Sequence, residues 1–136
     1  MIKSKHFKIH ELVPKAMFEE YGEKAWRYVP VQLIETVDAL KEYFNLGTMQ
    51  INNYGFGGSR EWSTLRTPDS PWYSYGSLHS YFMAVDFVCS HYSAEEVRNF
   101  IFNNMNLFPH VKGIELGVSW VHLDFRNERE MIAFNG

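Results

Sequence analysis

Cysteine is almost missing from this sequence: Cys89 is the single thiol in 136 residues. One thiol excludes an internal disulfide, and its neighbours Phe87 and Val88 predict a buried, unreactive side chain. An excess of positive charge is missing as well. Thirteen Lys and Arg against sixteen Asp and Glu give a net charge of -3, with the basic residues scattered along the chain. A grip on nucleic acid needs a basic patch that releases counterions from phosphates, so no nucleic-acid partner is expected. Long hydrophobic runs are missing too. No segment approaches the roughly 20 apolar residues of a membrane span, and the opening MIKSKHFKIHEL has no apolar stretch of signal-peptide length. The expectation is a chain made in the cytoplasm without signal peptide and without membrane insertion, needing another route out if it acts outside the cell. Repeats, low-complexity stretches and Ser/Gly linkers are absent, so residues 1–136 are expected to form a single domain, working as a monomer.

What the sequence has in quantity is apolar and aromatic. At 46% hydrophobic and 21% charged, the composition is that of a folded chain with one core. Aromatic residues reach 17%, and Trp62, Trp72, Tyr73 and Tyr75 cluster in a stretch that reads as loop. That cluster suggests either the wall of a groove or the packing of the loop onto the domain.

Periodicity supplies the elements. Leu12, Val13, Met17, Phe18 and Tyr21 recur at helical spacing and predict a first helix over 10–22, with Pro14 near its start. Pro30 opens a second helix, whose Ile34, Val37, Leu40 and Phe44 face the core until Gly47 stops it. Residues 48–53 read as a short strand entering a loop of about 25 residues, a length that usually carries function. Residues 83–88 predict a strand, and Ser93 with Glu96 forms a capping box for a third helix over 94–104. VKGIEL, SWVHLDFR and MIAFN predict three further strands in an antiparallel set. The order describes an α+β fold, a small antiparallel sheet with about three helices packed on it.

The chemistry gathers in two places. The sequence has six His and four Asp, and two of each form His79-x6-Asp86 and His122-x-Asp124. On the SWVHLDFR strand, alternation sends Val121, Leu123 and Phe125 to the core and Trp120, His122, Asp124 and Arg126 to the opposite face. An imidazole beside a carboxylate suits a metal ligand with an acceptor behind it. His79 and Asp86, seven residues apart, point to opposite faces of an unbroken strand, so a turn between Ser80 and Met83 is required for them to converge. His79, Asp86 and His122 then make a normal catalytic zinc set with a fourth position for water, although other first-row ions accept the same donors. Hydrolysis also needs a base. Gly117-Val118 read as a two-residue hairpin loop pairs Glu115 with Trp120 and makes Glu115 a diagonal neighbour of His122. His6, His10, His91 and His110 are assigned to hydrogen-bonded structural roles.

At these residues the sequence resembles the zinc peptidases that include D-alanyl-D-alanine carboxypeptidases and phage L-alanyl-D-glutamate endopeptidases. Their pattern is Ser-x-His-x-x-Gly-x-Ala-x-Asp followed later by His-x-Asp. The chain has Ser77, His79, Ala84 and Asp86, then His122 and Asp124. The resemblance implies a Hedgehog-like fold, Zn2+ held by His79, Asp86 and His122, and a peptidoglycan stem peptide as substrate. It also implies an arginine upstream of the first His that holds substrate: Arg66 is the better match and Arg60 the reserve. Two positions depart. Phe82 stands where the family has Gly, and Ser119 stands where many members carry an acid. The expected function is a cell-wall lytic peptidase, a phage endolysin or virion-associated enzyme. The alternative is a phage structural or binding module that keeps the fold and has lost catalysis.

Overall fold

Helices come first in the chain. The computed structural model describes residues 1–136, beginning with α1 (Ile9–Leu12), α2 (Lys15–Tyr21), a 3-10 segment (Gly22–Tyr28) and α3 (Val31–Tyr43). The helix expected over 10–22 is thus two. Val13 is extended at φ -131°, ψ 155°, and Pro14 caps α2 from outside. The proline ring disfavours helical backbone in the residue before it, so the chain breaks at Val13. A short β1 (Met49–Gln50), about a third of the strand expected, leads to the long loop, then to β2 (Ala84–Cys89). Next is α4 (Ala94–Asn103), where the capping box forms: Ser93 Oγ accepts from Glu96 N at 3.1 Å and Glu96 Oε1 from Ser93 N at 3.0 Å. The terminal strands are β3 (Gly113–Leu116), β4 (Val121–Asp124) and β5 (Ile132–Asn135). The class is α+β, with four α-helices instead of three.

The sheet order is β1-β2-β4-β3-β5. All pairs are antiparallel except β3 with β5, which run parallel, so the sheet is mixed and not antiparallel as expected. After β4 ends opposite Gly113, the chain crosses β3 at that same end and Ile132 pairs with Gly113, which fixes the parallel sense. The hairpin register also differs from the expected one. Gly113 faces Asp124 and Ile114 faces Leu123, so residues 117–120 form a four-residue loop and Glu115 lies opposite His122.

Alternation then decides what each face carries. Val85, Phe87, Ile114, Val121 and Leu123 join Leu33, Ile34, Val37 and Leu40 of α3 and Val97 and Ile101 of α4 in one buried cluster. Asp86, Glu115, His122 and Asp124 alternate with these residues and point away from it. A one-residue slip of either central strand would bury the carboxylates in the core, so burial itself enforces the register. Cys89, expected to be buried, is partly buried at the end of β2 and packs against the core, with Sγ 3.3 Å from the Tyr92 carbonyl.

Candidate metal centre

The reversal required between His79 and Asp86 is present. Ser77 Oγ accepts from His79 N (3.3 Å) at the start of a 3-10 turn, Leu78–Tyr81. Phe82 then adopts a left-handed conformation, φ 61° and ψ 29°, and its N–H donates to the His79 carbonyl at 3.3 Å. Strand β2 begins two residues later. Phe82 therefore occupies the conformation that glycine takes most easily, at the position where the resembled family has glycine.

The His79 ring is fixed by the long loop. Its Nδ1 lies 2.7 Å from the Thr64 carbonyl, which only accepts, so Nδ1 carries the proton and Nε2 presents a lone pair. His79 is buried and Nε2 has no hydrogen-bond partner, although Asp86 Oδ2 lies 3.2 Å away. An unsatisfied buried imidazole nitrogen is costly unless something binds it. His122 reaches the same spot through its other nitrogen. Nε2 lies 2.9 Å from Asp124 Oδ2, leaving Nδ1 2.9 Å from Asp86 Oδ1 and 3.9 Å from Glu115 Oε2. One ligand atom from each of His79, Asp86 and His122 lies within 4.8 Å of the other two. Two imidazole nitrogens and a carboxylate oxygen are a donor set that fits a divalent first-row cation.

Behind His122 the supports are ionic. Asp124 is fully buried and accepts from Arg126 Nε and NH2, both at 2.7 Å. The Arg126 guanidinium also lies 4.3 Å over the Phe134 ring. Burial would raise the Asp124 carboxyl, but hydrogen bonds from Arg126 and His122 outweigh it and hold the carboxyl at about 2. Burial would likewise lower His122, yet its contacts with Asp124 and Asp86 push it up to about 9. Asp86, also opposed by burial, is held well below the usual carboxylate range by His122 and His79. These shifts favour ionised carboxylates on either side of a protonated His122, and a cation bound at Nδ1 would take the place of that proton.

Arg66 belongs to this centre and Arg60 does not. Arg66 NH2 donates to Asp86 Oδ2 at 2.9 Å, and Nε donates to the Trp62 carbonyl at 3.0 Å. Arg60 is half-buried earlier in the loop, with Nε donating to the Ile51 carbonyl at 3.0 Å, and burial lowers its pKa. A cavity of about 580 Å³ opens over the three ligands and reaches Glu115, Arg126 and Phe134. Of the aromatic cluster, Trp62 and Trp72 line an adjoining cavity, whereas Tyr73 and Tyr75 line neither. His6, His91 and His110 bond to Glu42, the Asn45 carbonyl and Glu35, as structural histidines do. His10 departs from that assignment: its Nδ1 has no partner and its ring packs edge-on against Phe18, Tyr54 and Phe56.

Sequence reasoning missed Thr64, Trp120 and Phe134. A backbone carbonyl such as that of Thr64 leaves no side-chain signal. Trp120 was within reach, because alternation already puts it on the face of His122; it stands at the end of the hairpin loop, just before β4, and lines the cavity. Compared with known proteins, the chain matches no family, no curated sequence and no solved structure.

Proposed function

We propose that this protein is a zinc-dependent peptidase that cuts peptidoglycan stem peptides, with a Hedgehog-like fold and a site like that of the D-alanyl-D-alanine carboxypeptidases and L-alanyl-D-glutamate endopeptidases. One observation carries the reading: a buried, unpartnered His79 Nε2 converges with His122 Nδ1 and Asp86 at the wall of a cavity, while the Thr64 carbonyl and Asp124 hold the other nitrogen of each ring from behind. When bound there, zinc polarises an amide carbonyl and acidifies water. The chain supplies the rest. Glu115, directly across the ladder from His122, takes the proton from the attacking water at Oε2 and delivers it to the leaving amine. Arg66 holds a substrate carboxylate or carbonyl with the part of its guanidinium not given to Trp62 and Asp86. Asp124, fixed by Arg126, keeps the His122 proton on Nε2.

The test is metal content and wall digestion on one preparation. Zinc-loaded protein should bind one equivalent and release new amino and carboxyl ends from isolated cell walls, with EDTA stopping the release. His122→Ala should lose both metal and activity. Glu115→Gln should keep the metal and lose turnover by roughly 10²–10⁴-fold. Intact walls in the presence of stoichiometric zinc would sink the peptidase reading and favour the phage structural or binding module. Ser119 supports that second reading, because it stands where many members of the resembled family carry an acid. The peptidase reading makes the protein a phage endolysin or virion-associated enzyme that acts on the cell wall. No helix is long and apolar enough to cross a membrane.

A further inference from the structure

The second cavity, about 690 Å³, adjoins the metal position and shares Arg66, Asp86 and Trp120 with the first. Its size suits a small ligand or a segment of a polymer. Trp62, Trp72 and Trp120 line it, with Trp72 66% and Trp120 37% exposed. Ring–ring contacts in this protein join Tyr, Phe and His only, so none of the three indoles is stacked on another ring. Three unstacked indoles in one cavity, Trp72 and Trp120 exposed and Trp62 partly buried, have the character of a binding surface. The arginine ion pairs of the chain are Arg66–Asp86 and Arg126–Asp124, which leaves the half-buried Arg60 guanidinium on this cavity without a carboxylate partner.

The walls are fixed in advance. Arg60 N donates to Asn53 Oδ1 at 2.8 Å, Ser63 N to Asn52 Oδ1 at 3.0 Å, and Asp86 N to the Ser63 carbonyl at 2.7 Å. These bonds tie the loop segment bearing Trp62 to the strand bearing Asp86, so little ordering is needed when a ligand enters.

We propose that this cavity is a saccharide subsite, so that the substrate, on the peptidase reading given above, is a stem peptide still attached to its glycan. A pyranose ring offers an apolar C–H face and a rim of hydroxyls. The indoles match the face, and Arg60, Ser59, Glu61 and Ser119 match the rim. A peptide side chain calls for an enclosed apolar pocket, yet Val88 is the only aliphatic residue here. Because the two cavities meet at Arg66 and Asp86, a sugar on the indoles leaves its attached peptide at the metal position. The bond within reach is one near the glycan end of the stem, which makes the enzyme an endopeptidase.

The experiment is a tryptophan-fluorescence titration of the full chain with a β-1,4-linked N-acetylglucosamine tetramer, zinc-free and zinc-loaded, with a sugar-free stem tetrapeptide as competitor. The tetramer should shift the emission with a Kd of about 1 mM in both metal states. Trp72→Ala, at an exposed position that folding does not depend on, should weaken binding roughly tenfold with zinc stoichiometry unchanged, and Trp120→Phe should weaken it less. An emission unmoved by about 10 mM tetramer, an affinity that survives Trp72→Ala, or displacement of the tetramer by the tetrapeptide would overturn the saccharide assignment. Since the readout is binding, absent wall hydrolysis would count against the peptidase reading alone.

Discussion

Phe82 is the one residue other than glycine with a positive φ, and it makes the turn that brings His79 to Asp86. Left-handed backbone costs an L-residue roughly 1–2 kcal/mol. The ring offsets that strain, since Phe82 is 7% exposed and belongs to the core cluster, and burying a phenylalanine contributes about 2–3 kcal/mol. Phe82→Ala removes the ring, keeps the strained Cβ and should destabilise by about 3–5 kcal/mol. Phe82→Gly removes the same ring and also relieves the strain. At an ordinary position glycine is the less stable of the two by roughly 0.5–1 kcal/mol. Here the order should invert, with Phe82→Gly above Phe82→Ala by about 1 kcal/mol and both below the parent. Urea unfolding of the zinc-free proteins, followed by circular dichroism, resolves such a gap as a midpoint difference of about 0.5 M. Removing zinc matters because a ligand bound only to the native state masks the difference. An alanine variant at least as stable as the glycine variant would refute the strain at this turn.

Three other outcomes follow from the same geometry. Asp124→Asn keeps the shape but strips the carboxylate from Arg126 and His122. Zinc affinity should fall about 10–100-fold and stability by about 2 kcal/mol, the latter moderated because Arg126 reaches solvent; competition titration and urea unfolding read both, and undiminished affinity would contradict the support role. His122 sits at about 9 against an ordinary 6.5. Raised in the fold, it stabilises the zinc-free protein fully below pH 6.5, and that contribution is lost as the pH climbs through about 9. On the zinc reading, an ion bound at Nδ1 would displace that proton, so affinity should rise by about tenfold per pH unit across the same window, with about one proton released. Calorimetry in buffers of different ionisation enthalpy counts the proton, and pH-independent binding would show that Nδ1 is already bare. Finally, Arg66→Lys loses the planar fork between Trp62 and Asp86 and should raise KM for wall fragments roughly tenfold with zinc content unchanged. A drop in kcat alone would remove Arg66 from substrate holding.

The parts of the fold that alternation governs were legible in the sequence. Val121 and Leu123 against His122 and Asp124 state their faces plainly, because a strand with one face in the core tolerates no slip. Chain direction has no such signature, and nothing in MIAFN distinguishes a strand parallel to β3 from one antiparallel to it. Gly117 illustrates a second limit. Its φ of 77° marks a turn, yet a glycine of that kind serves loops of two residues and of four. The longer loop shifts the register by two and moves Glu115 from a diagonal position to one directly opposite His122. Val13 and Pro14 illustrate a third: the apolar spacing continues across them while the backbone does not.

The His-Asp-His pattern predicts three side chains converging, but not which atoms meet. That is decided by groups the pattern does not contain. The Thr64 carbonyl accepts a hydrogen bond from His79 Nδ1–H, so His79 presents Nε2. Asp124, held by Arg126, faces Nε2 of His122, so His122 presents Nδ1. The two rings, 5.2 Å apart and inclined at 68°, thus address one position through different nitrogens. A carbonyl cannot be tuned by substituting its side chain, whereas Asp124 can be replaced. Metal affinity should therefore be adjustable from the His122 side while the His79 side stays fixed by backbone, and substitutions at Thr64 should change affinity only as far as they move the chain there.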